Sequence, residues 1–205
     1  SSITKTLSVQ LGFGDATKLV LTTQAAGIAN RTTFVTDPVI TVQDSSGNTV
    51  TNYSVDIDVT EAAVGGVNGS LFGDVDIAPS TGVATFTDLE LQGEVGQYDL
   101  TFTSGSLTAT TQRVTLTHGA AFDVVVSGPS EADNAVDFGS DVSVVLRDQD
   151  QNIVTSGPDS SRSVVASNAD ANTALSGTTT VTATAGRATF TNLRLTGPVG
   201  AKTVA

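Results

Sequence analysis

The chain has 205 residues and a formal net charge of −12, and 39% of its side chains are hydrophobic. A chain of this length and apolar content can bury a core, which excludes a disordered segment. The negative charge makes nucleic acid and anionic membrane poor partners, because both would repel it. There is no Cys and a single His, so disulfides and thiolate chemistry are excluded and transition-metal sites nearly so. Carboxylate chemistry, binding and a structural role remain.

Residue 1 is Ser, not Met, which indicates a processed chain or part of a longer one. No run approaches the ~20 apolar residues of a membrane-spanning helix, so we expect no membrane contact within these residues.

Short stretches of alternating polar and apolar residues predict half-buried antiparallel strands along the first half of the chain. In residues 53–60, for example, Tyr53, Val55, Ile57 and Val59 alternate with polar side chains. Clusters of Gly, Asn and Asp separate the candidates and predict turns. The candidates are residues 17–23, 38–44, 53–60, 83–86, 89–91, 97–104 and 106–117.

The second half of the chain repeats the first at a spacing of 104 residues. Residues 82–96 (GVATFTDLELQGEVG) recur as residues 186–200 (GRATFTNLRLTGPVG), with 10 of 15 positions identical. Asp44 and Asn48 likewise recur as Asp148 and Asn152. The chain therefore contains two copies of one kind of domain.

About seven short strands in roughly 100 residues predict tandem immunoglobulin-like β-sandwiches in an all-β fold without a disulfide. We expect the last strand of a preceding repeat in residues 1–15 and a complete domain in 16–119. Residues 120–205 then form a second domain that lacks its last strand. The alternation of residues 53–59 is lost in residues 157–166, so the third strand of the second copy is in doubt.

Two interpretations explain why the repeats and the chain ends are out of phase. In one, the residues belong to a longer tandem array of such domains. In the other, residues 3–10 (Ile3 to Gln10) of one molecule complete the open domain of the next, because an unpaired sheet edge accepts another strand. The partners expected are adjacent repeats or copies of the chain itself.

The residues VITVQDSSGNTVT (39–51), with the second-copy segment 144–155 and the two blocks GVATFTDLEL and GRATFTNLRL, resemble bacterial Ig-like repeats. Such repeats occur in cell-surface proteins of the invasin and intimin type, in giant adhesins and in surface-layer proteins. The resemblance implies an extracellular, cell-surface or cell-wall location. It implies no particular activity, because these repeats serve as stalks, tips and lattice units alike.

The best metal candidate is the segment DQDQN, in which Asp148, Asp150 and Asn152 offer oxygen ligands suited to Ca²⁺. The spacing resembles the opening of an EF-hand loop, but Ile153 replaces the required Gly and no Glu follows at the twelfth position. A turn without metal explains the same residues, and no other cofactor is predicted.

His118 is the only candidate for an imidazole base, and no G-x-S-x-G motif accompanies it. We therefore expect no enzyme activity. The sequence predicts a structural segment of an extracellular protein, namely a stalk, a filament or a surface-layer lattice. The alternative is an adhesin module that binds a glycan or a receptor through its end loops, with or without calcium.

Overall fold

The computed structural model describes residues 4–205, which form strands joined by turns and irregular loops. A short 3₁₀ helix spans Pro158–Ser161. No helix in residues 4–205 is long and apolar enough to cross a membrane. The predicted all-β fold is therefore confirmed.

The chain divides into two compact units. Unit 1 runs to Gln92 and includes Gly96–Leu116, and unit 2 comprises Gly93–Val95 and Thr117–Ala205. The domain boundaries at residues 15 and 119 and the immunoglobulin-like strand order stay predictions.

Unit 1 contains two main antiparallel sheets and a small strand pair. The sheets have the orders β1-β2-β6 and β5-β3-β8-β9, and the pair is β4-β7. The strands are β1 (Lys18–Thr23), β2 (Val39–Gln43), β3 (Ile57–Val64), β4 (Gly69–Phe72), β5 (Asp76–Ile77), β6 (Val83–Thr85), β7 (Glu90–Gly93), β8 (Gly96–Thr103) and β9 (Thr110–Leu116).

Side chains from both sheets of unit 1 share one core, as in a β-sandwich. Ile40 from β2 and Ile57 from β3 are fully buried, and so are Tyr98 and Phe102 from β8. The rings of Phe86 and Phe102 pack with centroids 5.2 Å apart. Every second residue of β8 faces this core, which is the period of 2 expected of a strand with one wet face.

Unit 2 repeats most of this arrangement with the orders β10-β11-β15, β12-β14 and β13-β16. Its strands are β10 (Asp123–Ser127), β11 (Val142–Arg147), β12 (Ser163–Val165), β13 (Ala174–Ser176), β14 (Thr180–Thr182), β15 (Arg187–Phe190) and β16 (Arg194–Thr196). Its core is smaller and includes Leu146, Val154, Phe190 and Leu193. Within residues 4–205, β9 has no counterpart in this unit.

Backbone hydrogen bonds recur at the spacing of the sequence repeat. Val42 N–H donates to Gly82 O (2.8 Å), and Leu146 N–H donates to Gly186 O (2.7 Å). Both glycines have positive φ, 79° and 72°. A Cβ atom on Gly186 would lie 2.4 Å from Val154 O, so the backbones approach too closely for any other residue. The repeated glycine is therefore explained by folding.

The third strand of the second copy is present, but it lies three residues late. Ser163 pairs with Thr182 and Asn168 with Val204. In unit 1, Glu61 pairs with Leu100. Val204 is Leu100 plus 104, whereas Asn168 is Glu61 plus 107, so β12 has slipped by three residues relative to its partners. Val164 thereby takes the place of Ile57, and the 3₁₀ helix that precedes β12 accommodates the extra residues.

The predicted strand at residues 53–60 begins later than its alternation indicates. β3 starts at Ile57, and Val55 is exposed. The Tyr53 hydroxyl is 2.8 Å from Ser104 Oγ, and Ser104 Oγ donates to Asp56 O (2.6 Å). These contacts hold residues 53–56 in a corner before the strand, so Tyr53 packs against the core from outside the sheet.

Candidate functional site at the unit entries

The turn after β2 is organised by the buried carboxylate of Asp44. Asp44 Oδ1 accepts hydrogen bonds from the backbone N–H groups of Ser46 and Asn48, both at 2.9 Å. Asp44 Oδ2 accepts one from Asn48 Nδ2 at 2.9 Å. It accepts another from Gly14 N–H at 2.8 Å, where the chain enters unit 1. One side chain therefore closes a turn and holds a segment 30 residues away.

The second copy builds the same arrangement around Asp148, which is also buried. Asp148 Oδ1 accepts the N–H groups of Asp150 (3.0 Å) and Asn152 (2.9 Å). Asp148 Oδ2 accepts Gly119 N–H at 2.9 Å. We call the Asp44–Gly14 and Asp148–Gly119 contacts the entry anchors, because each fixes the chain just before the first strand of its unit.

The entry anchors combine residues that sequence reasoning treated separately. The sequence predicts Asp44 as a turn residue and Asp148 as a turn residue or a calcium ligand, but it predicts no site at Gly14 or Gly119. The available signal was a glycine preceding the first strand in both copies, at a spacing of 105 instead of 104. Such a signal is weak, since glycine is common in turns for other reasons.

The N–H donors lower the pKa of Asp44 to about 2 from its ordinary value of 3.8. The largest cause is the hydrogen bond from Gly14 N–H, followed by the Asn48 side chain and the other N–H groups of the turn. Burial acts in the opposite direction and is outweighed. The carboxylate is therefore ionised at neutral pH and is held by charge-assisted hydrogen bonds.

The structure brings Asp148, Asp150 and Asn152, the predicted calcium ligands, into one turn, but it gives their oxygens other partners. Both oxygens of Asp148 accept N–H donors, as described above. Asn152 Oδ1 accepts Val95 N–H at 2.8 Å, and Asn152 Nδ2 donates to Gly93 O at 2.8 Å. No group of three His, Cys, Asp or Glu side chains in residues 4–205 is placed to hold a metal ion. Calcium binding at this turn stays a prediction.

Further contacts hold the entry of unit 2. Ala121 N–H donates to Asp159 Oδ2 at 3.0 Å, and Arg162 pairs with the same carboxylate. These hydrogen bonds lower the pKa of Asp159, with Ala121 N–H as the largest cause and Arg162 next. The carboxylates of Asp148 and Asp159 thus hold residues 119–121 by accepting hydrogen bonds from their backbone N–H groups.

His118, the one candidate base, lies beside Ser156. Its Nε2 is 2.8 Å from Ser156 Oγ and accepts Ser156 N–H at 3.1 Å. Because Nε2 accepts, the proton resides on Nδ1, which donates to Gly119 O at 2.9 Å. The distance between His118 Nε2 and Ser156 Oγ suits a general base and its nucleophile. In a catalytic triad, however, a carboxylate orients the imidazole, whereas here that group is the backbone carbonyl of Gly119. The imidazole therefore links the entry segment to the loop at Ser156 through hydrogen bonds.

The best-formed concavities of the described chain include a shallow hollow of about 590 Å³ on unit 1. Its lining includes Phe13, Asp15, Asn52 and Tyr53. It is wide open, so it lacks the enclosure that a catalytic cleft needs to exclude water.

Comparisons with known proteins give only distant likenesses. No family model matches the chain, and no curated protein matches it. It is similar to surface layer protein SbsC, domains 4–9, with 16% identity over 93% of this chain and 29% of that one, at a TM-score of 0.33. It is also similar to FdeC, an Escherichia coli adhesin, with 14% identity over 93% and 64%, at a TM-score of 0.41.

A β-glucuronidase of Parabacteroides merdae gives 12% identity over 87% of this chain and 22% of that one, at a TM-score of 0.27. The chain thus spans less than two thirds of each of these proteins. Likenesses at this level do not decide a function.

Proposed function

We propose that this chain is a non-enzymatic structural segment of an extracellular cell-surface protein, as part of a stalk, a filament or a surface-layer lattice. The observation that carries the proposal is the entry anchor, which occurs once in each copy. A chain that is fixed by a buried carboxylate wherever it enters a unit is suited to units joined in series.

The pairing of the terminal strands in unit 1 supports a load-bearing role. Thr108 N–H donates to Thr17 O, and Leu19 N–H donates to Thr108 O, both at 3.0 Å. Lys18 and Thr108 form a parallel bridge. Tension applied at the two ends of unit 1 pulls parallel segments in opposite directions. These hydrogen bonds are then loaded together in shear and not opened one at a time.

The motifs shared by the two copies also have structural roles. Asp44 and Asp148 hold the entries, and Gly82 and Gly186 permit close backbone contacts. The acidic surface keeps such a segment soluble.

Labelling of the native cells with an antibody raised against this chain tests the proposal. We expect staining of intact cells, and loss of that staining after brief external protease treatment. Staining that appears only after permeabilisation would contradict it.

The alternative is an adhesin module, and one observation favours it. The open hollow on unit 1 combines Phe13, which is 39% exposed, with the polar side chains of Asp15 and Asn52. An aromatic face with carboxylate and amide groups suits a sugar ring. A glycan array with the wild-type chain and Phe13→Ala tests this reading, and specific binding lost in the variant would favour the adhesin. Phe122→Ala, at an aromatic side chain exposed elsewhere, is the matched control.

A further inference from the structure

The outer face of the sheet β10-β11-β15 carries two arginines, Arg147 and Arg187, which we call the arginine face. Val144 and Leu146 of β11 are buried in the core, so Arg147 points to the other side of the sheet. Arg187 of β15 lies opposite Val145 and shares that side. Neither guanidinium forms an ion pair within residues 4–205, and Arg147 Nε is buried without a hydrogen-bond partner. Because the chain has 21 acidic and 9 basic residues, two adjacent arginines without a carboxylate require an explanation.

The equivalent face of unit 1, on the sheet β1-β2-β6, is also open. The residues that correspond to Arg147 and Arg187, at the spacing of 104, are Gln43 and Val83. Thr85, two residues along β6 from Val83, is exposed. The open face is therefore a property of the repeated fold, and the two arginines distinguish unit 2.

Unit 1 carries the opposite charge on the outer face of its other sheet. Ile57 and Val59 of β3 are buried, so Asp58 points outwards, and it lies opposite Asp76 of β5. Asp56 precedes β3, and these three carboxylates form what we call the acidic face. All three are exposed, and none pairs with a cation within residues 4–205. The pKa of Asp76 is raised, first by desolvation and then by the charges of Asp56 and Asp58, so the carboxylates repel one another.

The two copies differ in charge at equivalent positions. Because β12 pairs with β14 as β3 pairs with β5, Val165 opposite Thr180 corresponds to Asp58 opposite Asp76. Unit 2 thus lacks the acidic face, just as unit 1 lacks the arginine face. Two chains of net charge −12 repel each other as a whole, so a contact between copies requires a local patch of opposite charge. The arginine face is such a patch.

We infer that the arginine face of one molecule docks on the acidic face of a second copy. Arg147 and Arg187 are diagonal neighbours on their sheet, about 7 to 8 Å apart, whereas directly opposite residues such as Asp58 and Asp76 are about 5 Å apart. Long arginine side chains span this difference, so each guanidinium binds one carboxylate through two parallel hydrogen bonds. The two faces belong to different units, so the contact repeats from molecule to molecule and builds open assemblies.

This inference rests on the proposed structural function, which it extends to a contact between copies. It uses only side chains on internal strands and on the residue that precedes β3. It is separate from the strand exchange by residues 3–10 (Ile3 to Gln10), which stays a prediction, and Ile3 lies outside the described residues.

Charge reversal tests the contact, since Arg187 and Asp58 are exposed and can be changed without disturbing a core. We expect Arg187→Glu and Asp58→Lys each to weaken the self-association of the wild type about tenfold or more in sedimentation equilibrium. Both variants should keep a cooperative melting transition. An equimolar mixture of the two variants should associate again, because the reversed charges attract each other.

Lys202→Glu and Asp133→Lys are the matched controls, since they make the same charge changes outside both faces. We expect them to weaken association about twofold at most. Equal weakening by the controls, or a mixture of Arg187→Glu and Asp58→Lys that stays monomeric, would overturn the inference.

Carbodiimide coupling identifies the partners, because this reagent joins a carboxylate to an adjacent amine as an amide. Arg147→Lys with Arg187→Lys keeps the charge of the arginine face and supplies the amines. We expect mass spectrometry of mixed isotope-labelled and unlabelled protein to show crosslinks between chains, from these positions to Asp58 or Asp76. Crosslinks confined to single chains, or directed to other carboxylates, would overturn the inference.

The wild type alone separates this inference from the proposed function. If it stays monomeric at about 1 mM, the second copy is overturned as the occupant. Polyphosphate binding by such a monomer, lost in Arg187→Glu, would assign the arginine face to an anionic polymer instead. In either case, surface staining of intact cells would still support the proposed function.

Discussion

At the scale of single residues, the fold depends on buried carboxylates that collect backbone N–H groups. Asp148 accepts N–H groups from Asp150, Asn152 and Gly119. Asp148→Asn replaces one acceptor oxygen with a donor that faces these N–H groups. We expect it to lower the free energy of unfolding of unit 2 by about 2 kcal/mol. Urea unfolding measures this, with Asp133→Asn, at an exposed carboxylate of the same unit, as the control.

A destabilisation no larger than that of the Asp133→Asn control would show that the entry anchor contributes little to stability. Repeating both curves with Ca²⁺ and with a chelator tests the calcium prediction, because a bound ion raises the stability of the folded state.

The pKa of Asp44 gives a pH dependence with a defined sign. Its folded pKa is about 2 and its ordinary value is 3.8. The stability it adds is therefore complete above the ordinary value and is lost as the pH falls towards 2. We expect the melting temperatures of the wild type and Asp44→Asn to differ by several degrees at pH 5 and to converge near pH 2. A gap that stays constant over this range would contradict the assignment.

Gly186 is required by its backbone and by its neighbour. With φ at 72° and a Cβ position 2.4 Å from Val154 O, alanine would strain the turn and displace the strand. We expect Gly186→Ala to destabilise unit 2 by about 2 kcal/mol in urea unfolding. Gly139→Ala is the matched control, since no atom lies within 4 Å of its Cβ position. Equal effects of the two substitutions would contradict this explanation.

At the scale of elements, two carboxylates on paired strands of unit 1 repel each other. Asp58 of β3 lies opposite Asp76 of β5. The pKa of Asp76 is raised, first by desolvation and then by the charges of Asp56 and Asp58. We expect Asp76→Asn to raise the melting temperature of unit 1 at pH 7 by about 1 to 3 °C.

Because the folded pKa of Asp76 is raised, the stability linked to its proton is present at low pH and lost as the pH rises through that value. The gain from Asp76→Asn should therefore shrink in acid. Asp74→Asn, on an exposed neighbour, should have a smaller effect. A lower melting temperature for Asp76→Asn would contradict the repulsion.

Alternation of side chains predicted most elements of unit 1, because each of those strands has one buried face. β1, β2, β6 and β9 lie within their predicted segments, and β8 begins one residue before its own. Alternation could not locate the start of β3, since the corner at Tyr53 depends on Ser104, 51 residues away. Nor could it reveal the slip of β12, which is visible only from its pairing with Thr182 and Val204. The entry anchors were missed for the same reason, as their partners are 29 and 30 residues apart.

At the scale of the whole molecule, the main feature is the repetition of one kind of unit. The two units share their turns, their repeated glycines and their entry anchors, but they differ in how their last strands are paired. In unit 1, the parallel contact between Thr17 and Thr108 ties the entry to the exit. Unit 1 should therefore resist tension at its two ends through these hydrogen bonds.

Pulling single molecules by their two ends tests the central claim, a load-bearing tandem segment, most directly. Forced unfolding reports the barrier to unfolding and not the equilibrium stability. We predict two separate events, of which the one from unit 1 releases about 100 residues, roughly 340 Å of extended chain. Thr108→Pro removes the N–H donor to Thr17, so it should weaken that event and leave the other unchanged. One gradual extension without a distinct peak, or a unit 1 event that Thr108→Pro does not alter, would contradict the account.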